Sequence, residues 1–205
     1  MGWMTLHSVS TLYPENPSRS EQELMQTWLD MFRDTITCPH CKEHFTGMLQ
    51  NYRMRFPNML KSRQEFAMFA FRAHNAVNAR LSKPVYSTLD ECMTILRNNI
   101  KNRTAADYRI SYINHIMRYW KSLNDITGIV AVKKVVEMKK IETDYCSVRD
   151  NKFDVNLVAE AVVIPRNWVE ANSNIEVRTT PKIQVNSATP IRAGFQFTGG
   201  RMRLR

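Results

Sequence analysis

Two cysteines separated by two residues, in Cys38-Pro39-His40-Cys41, are the part of this 205-residue chain with the most obvious chemistry. The thiolate is the reacting species in thiol–disulfide exchange, so a redox cysteine needs surroundings that stabilise negative charge. Pro39 favours the first position of a helix, which places Cys38 beside unpaired backbone N–H groups and the positive end of the helix dipole. Two intervening residues let both sulfurs close a disulfide on the first helical turn. Taken alone, the pair fits a redox dithiol, half of a zinc site, or chance. Cys38, Cys41 and His44, with His40 or Cys92 as a fourth ligand, would suit zinc. Structural zinc modules usually bring a second close pair, whereas Cys92 and Cys146 stand alone. A thioredoxin-like fold would need a strand before the cysteines, and the pattern there is helical.

The elements that must hold this pair are helical. Trp3, Leu6, His7 and Ser10 have helical spacing up to Tyr13-Pro14, and a loop follows through Ser18. Leu24, Met25, Trp28, Leu29, Met31 and Phe32 recur at three and four residues, predicting an amphipathic helix from Glu21 to Thr35. Thr37 or Cys38 opens a third helix running to about Tyr52, and Phe56-Pro57-Asn58 breaks it. A fourth spans about Ser62 to Leu81, and Thr88-Leu89-Asp90-Glu91 is a capping box that starts a fifth. The expected class is mainly α: a four-to-five-helix bundle over residues 1–100.

The second half reads differently. Tyr108 to Leu123 is helical in pattern, but Ile129-Val130-Ala131-Val132 and Val158 to Ile164 are β-prone runs. Residues 101–171 are therefore expected to form an appended α+β or β-rich region, and 172–205 a basic flexible tail. Residues 1–100 carry a net charge of +2 and residues 101–205 a net of +8. Such an excess favours acidic or nucleic-acid partners, although any single Lys or Arg is more often just solvated. Apolar residues at 43% and charged residues at 23% describe an ordinary globular balance. No secretory signal or membrane-spanning run is visible.

Several spaced features together resemble the Erv/Alr family of FAD-linked sulfhydryl oxidases. They are Trp3-x-x-Leu6-His7, Tyr13-Pro14-x-x-Pro17, Cys38-x-x-Cys41-x-x-His44-Phe45, and His74-Asn75-x-Val77-Asn78-x-x-Leu81-x-Lys83-Pro84. The resemblance covers roughly residues 1–90. It implies a helical bundle that cradles FAD, usually as a homodimer. Cys41 would lie nearest the flavin, and Cys38 would exchange with the substrate thiol. Trp3, His7 and Tyr13 match positions that help enclose the cofactor, and His74 and Asn78 match positions facing its adenosine portion. Lys83 matches a position near the phosphates, and Tyr86 the aromatic that follows Lys-Pro. The residues agree with this on their own terms: His74 and Asn78, like Trp3 and His7, are four apart and share a helix face. Singly, a Trp or Tyr at such a place is more often core packing, and a His or Asn a satisfied structural residue.

Two departures stand out. Where the family commonly has a structural disulfide flanking the His-Asn pair, this chain has Phe71 and Ser87-Thr88. The family's distal Cys-x-x-Cys shuttle is also absent. The resemblance implies electrons passing from a dithiol protein, thioredoxin-like or other, through Cys38–Cys41 to FAD and then O2, giving H2O2. A minimal oxidase with an unfamiliar second half resembles, in organisation, versions encoded by large cytoplasmic DNA viruses. That points to host cytoplasm or virion, with the mitochondrial intermembrane space as the other location. The competing expectation is an interaction protein that keeps the oxidase fold and works through its basic second half.

Overall fold

Most helices in this chain begin at a residue that can cap them. The structure is a computed structural model, and it describes residues 1–100, 103–166 and 168. Among them are α1 (Gly2–Leu12), α2 (Arg19–Asp34), α3 (Pro39–Arg55), α4 (Arg63–Arg80), α5 (Leu89–Asn99), α6 (Ala105–Ser122) and α7 (Ile126–Ile141). Ser18, Thr88 and Thr104 form capping boxes with Glu21, Glu91 and Asp107. Ser62 and Asp125 accept one backbone N–H each. These caps satisfy donors that a helix start otherwise leaves unpaired.

The bundle is organised around α1, which is buried from Thr5 to Leu12. A helix so enclosed must satisfy its own polar side chains. Ser10 and Thr11 donate to the His7 carbonyl at 2.9 and 3.0 Å, and Thr5 donates to the Tyr108 carbonyl at 3.3 Å. α1 packs against α4 and α6, while α7 packs against α6 and α2. Leu6, Val9, Phe66 and Phe69 share one apolar cluster with Ile113, Ile116, Trp120, Val135 and Met138. The last five belong to α6 and α7, so this hairpin shares the core of the first five helices.

The α+β or β-rich expectation for residues 101–171 is corrected in its β part: no strand occurs among the described residues, and α7 stands beside α6, whose bounds match the helical pattern of Tyr108 to Leu123. Ile129, Val130, Ala131 and Val132 lie inside α7. The Asp125 cap starts it, and Ala131, Val135 and Met138 set a helical period of burial that overrides the β-branched run. Gly128 is needed at the α6–α7 turn because a β-carbon there would collide with the Trp120 and Leu123 carbonyls. The run from Val158 to Ile164 is extended but makes only one bridge, Thr88 to Ala161. It acts as a strap. The Leu89 N–H donates to the Glu160 carbonyl at 3.1 Å, and the Val162 N–H to Ser87 at 2.8 Å. Phe153, fully buried, anchors its start against α4 and α5. The expected basic tail over 172–205 lies outside the described residues.

After α7 the chain passes through one π-helical turn, Glu142–Cys146, and a 3-10 turn, Ser147–Arg149. The wider turn carries the Glu142 carboxylate to Arg109, whose side chain is 1% exposed. Arg109 Nε donates to Glu142 at 2.8 Å, and Nη1 donates to Ser8 Oγ on α1.

Candidate redox site

Cys38 ends the turn after α2 and caps α3 from outside the helix, with φ −89° and ψ 113°. Pro39 takes the first helical position, and the Cys41 N–H donates to Cys38 Sγ at 3.3 Å. The two sulfurs are joined as a disulfide with a Cα–Cα distance of 5.2 Å, inside the ordinary range. Both residues are exposed. This arrangement gives Cys38 one N–H donor and the favourable end of the α3 dipole, which together stabilise a thiolate there.

The disulfide opens on a cavity of about 320 Å³. Trp3 from α1, Phe32 from α2, Ile36 from the turn after it, Phe45 from α3 and Tyr112 from α6 supply its apolar walls. Phe32 meets Phe45 edge-on at 5.5 Å and Tyr112 at 5.3 Å, so the walls brace one another. His115, on the same side of α6 as Tyr112, also lines the cavity.

Behind the Trp3 wall is a cluster of rings. Trp3 stacks on His74 at 4.6 Å with 7° between planes, and His7 stacks on Phe71 at 4.6 Å. His7 Nε2 and His74 Nδ1 lie 2.8 Å apart, sharing one hydrogen bond. Phe71 thus packs against one of the expected site residues. Burial, then the charge of His74, pushes His7 well below its ordinary value. Burial, followed by the charges of Lys83 and the N-terminus, lowers His74 to about 4. His44 falls to about 4 through burial and the charges of Arg80 and His40.

These shifts have a definite sign. In the unfolded chain these histidines take up protons near pH 6.5, while folded His44 and His74 stay neutral until about pH 4 and His7 is likewise held below its ordinary value, so the unfolded state binds more protons between pH 6.5 and 4. Stability is therefore expected to fall as pH drops from about 6.5 to about 4, and to be flat just above 6.5. Urea midpoints across this range test it. His74→Gln should make the slope shallower, and an unchanged slope would count against a neutral buried His74.

A cationic edge continues from the disulfide along the end of α4. Arg80 Nη1 lies 3.2 Å from His40 Nε2, and Arg80 Nε is buried without a hydrogen-bond partner. Lys83 is exposed just beyond. Asn78 holds the turn there: its carbonyl accepts from the Lys83 N–H at 2.8 Å and its amide donates to Pro84 at 3.1 Å. Tyr86 is fixed by Asn75, which donates to its carbonyl at 2.7 Å and accepts its N–H at 3.2 Å. That two-point clamp and the strap on Ser87 and Leu89 hold the α4–α5 junction.

Trp3, His7 and His74 are brought together, Cys38 and Cys41 share a cavity with Trp3, and Lys83 acts electrostatically on His74. Tyr13 is not with them. It caps the far end of α1, ten residues from Trp3 and roughly 15 Å away at the helical rise, donating to the Leu60 carbonyl at 2.9 Å and packing edge-on against Phe66. Sequence reasoning missed Phe32, Ile36, Arg80, Tyr112 and His115. The helical period of α2 marked Phe32 as core; nothing local marked Tyr112 or His115, which reach the site from 74 or more residues after Cys38. Cys92 and Cys146 are buried, and burial pushes both thiols up to about 12. Among the described residues no group of three or more His, Cys, Asp or Glu is arranged to hold a metal. No described helix is long and apolar enough to cross a membrane.

The model of the Erv1 / Alr family matches residues 1–105. The chain belongs to the Erv1/Alr family. This Erv1/Alr chain is similar to the FAD-linked sulfhydryl oxidase ERV2 of Saccharomyces cerevisiae, 29% identical over 96 residues, 47% of this chain and 45% of that protein. It is also similar to the FAD-linked sulfhydryl oxidase of African swine fever virus, 29% identical over 86 residues, 42% of this chain and 68% of the viral one. Among solved structures, the yeast Erv1 core is 31% identical, covering 41% of this chain and 68% of that one, with a TM-score of 0.36. Of the curated yeast and plant relatives it matches, the chain spans less than half the length. Helices α1 to α5 fall inside the Erv1/Alr segment; apart from its first residue, α6 does not, so Tyr112 and His115 are additions from beyond it.

Proposed function

We propose that this chain is a flavin-linked thiol oxidase that forms disulfides in a dithiol protein, with Cys38 and Cys41 as its redox pair. The observation that carries the reading is the exposed Cys38–Cys41 disulfide of an Erv1/Alr segment, opening onto an aromatic-walled cavity. The names of the relatives support FAD as the cofactor.

The residues present fit that group on two counts. The apolar walls of Trp3, Phe32, Phe45 and Tyr112 suit a flat ring system beside the disulfide. The cationic edge of Arg80 and Lys83, with Arg80 Nε unpartnered and His40 Nε2 beside Arg80, suits a diphosphate. Trp3, His7, His74 and Asn78 would hold the remainder, and Tyr86 would border it. Bound FAD supplies a two-electron acceptor that O2 reoxidises with release of H2O2.

The chain's own residues carry the thiol chemistry. A substrate thiolate attacks Cys38 Sγ, the Cys38–Cys41 bond breaks, and Cys41 leaves as a thiolate. The substrate's second thiol loses its proton and attacks its own sulfur in the mixed disulfide. Cys38 then departs as a thiolate, stabilised by the Cys41 N–H and the α3 dipole. The substrate has lost two electrons and gained a disulfide; Cys38 and Cys41 hold the pair as a dithiol. Cys41 is the sulfur we assign to the cofactor side.

Purified full-length protein is expected to be yellow, to bleach on adding dithiothreitol without air, and to regain colour while consuming oxygen when air returns. Correctly folded protein that stays colourless after supply of FAD, or that never bleaches, would overturn the reading.

A further inference from the structure

The turn that delivers Cys38 is held from outside the Erv1/Alr segment. Thr35, fully buried, ends α2, and only Ile36 and Thr37 separate it from Cys38. Its carbonyl accepts a hydrogen bond from the Trp120 indole N–H of α6 at 2.9 Å. Its hydroxyl donates to the Met31 carbonyl at 2.8 Å and lies 3.6 Å from the Met138 sulfur of α7. One residue earlier, Asp34 pairs with Lys134 of α7, and its carbonyl accepts from Lys42 of α3 at 2.9 Å. The hairpin's other contribution is the cavity wall, where Tyr112 and His115 face the space onto which Cys38 and Cys41 open.

This matters because the two cysteines are placed by different means. Cys41 lies within the first turn of α3, so the helix fixes it. Cys38 is the cap residue with extended backbone, outside the helix, and its position follows from the turn that precedes it. Whatever holds residues 34–37 sets how closely the two sulfurs are presented to each other.

We propose that the α6–α7 hairpin is a working part of the redox site, with Trp120 and Lys134 as positioning residues that hold the turn delivering Cys38 to Cys41. The hairpin keeps the effective concentration of the two sulfurs high, which favours the disulfide over the dithiol. The proposal deepens the thiol-oxidase reading and rests on it only in treating this disulfide as the reacting group.

The test uses the full chain equilibrated in dithiothreitol redox buffers, with the fraction of Cys38–Cys41 disulfide read by thiol labelling and mass spectrometry. Trp120→Phe keeps a buried ring but removes the N–H donor. It is expected to shift the equilibrium about tenfold toward the dithiol, equal to about 30 mV for a two-electron couple. Lys134→Met, at a half-exposed pair, should shift it the same way by about threefold, and it decides the matter if Trp120→Phe loses its helical circular dichroism. Ile113→Val trims the hairpin's packing without touching the turn, so it should lower thermal stability and leave the equilibrium within twofold of the parent. Folded Trp120→Phe and Lys134→Met proteins both within twofold of the parent would overturn the proposal, as would an equal shift in Ile113→Val. A colourless protein with the expected shifts would sink the oxidase reading alone; a yellow, oxygen-consuming protein without them would sink the positioning role alone.

Discussion

Cys41→Ser is expected to cut oxygen consumption with a dithiol by on the order of a thousandfold or more, the scale on which removing a reacting nucleophile acts in other enzymes. A serine oxygen cannot close a bond to Cys38 Sγ, so the substrate meets a single thiol that can neither accept nor store an electron pair. Cys38→Ser should be equally severe, because the sulfur next to the cap N–H is then missing. The control is built into the chain. Cys92 and Cys146 are 4% and 1% exposed, and their thiols are pushed up to about 12, so they stay protonated and out of reach at neutral pH. Cys92→Ser and Cys146→Ser should each leave turnover within about twofold of the parent, provided the folded fraction is matched. Undiminished turnover in Cys41→Ser, measured with an oxygen electrode, would show that the electrons take another route.

The largest expected effect on stability lies away from the disulfide. Arg109 and Glu142 form an ion pair whose side chains are 1% and 7% exposed, with Arg109 also donating to Ser8 on α1. Arg109→Ala should cost about 3–5 kcal/mol, because it leaves the Glu142 carboxylate buried without its partner. In a chain of this size that lowers the melting temperature by about 10 °C. Changing both residues, Arg109→Met with Glu142→Leu, should recover most of the loss, since the desolvation of two charges disappears along with their attraction. Urea unfolding of the single and double variants checks both statements. A single variant costing less than about 1 kcal/mol would mean that water reaches the pair.

The bundle of the first hundred residues was legible because its signals are local. Ser18 and Thr88 with their partner glutamates mark helix starts, and the spacing of Leu24, Met25, Trp28, Leu29 and Phe32 marks a buried face. Trp3 with His7, the Cys38–Cys41 spacing and His74 with Asn78 were legible for the same reason: residues four apart share a face wherever the helix goes. The strand expectation over Ile129 to Val132 failed for a related reason. β-branched side chains read as strand in a short window, but Asp125, Ala131, Val135 and Met138 impose a longer helical period that becomes decisive once α6 and α2 are there to bury it.

What the sequence determined by itself is the placing of two sulfurs: a proline at the first helical position and a two-residue gap bring Cys38 and Cys41 together at one helix start. It also supplied the rings and polar edges on α1 and α4. Only the tertiary structure decided how that pair is framed. Tyr13 directly follows the helix of Trp3 and His7 but ends among Leu60 and Phe66. Trp120, Lys134, Tyr112 and His115 come from a hairpin that carries no redox signature, yet they hold or face the turn of Cys38. The reason is physical: a pattern within one helix reports which face is buried, but the partner on that face depends on how distant segments pack. For Cys38 that partner lies more than seventy residues away.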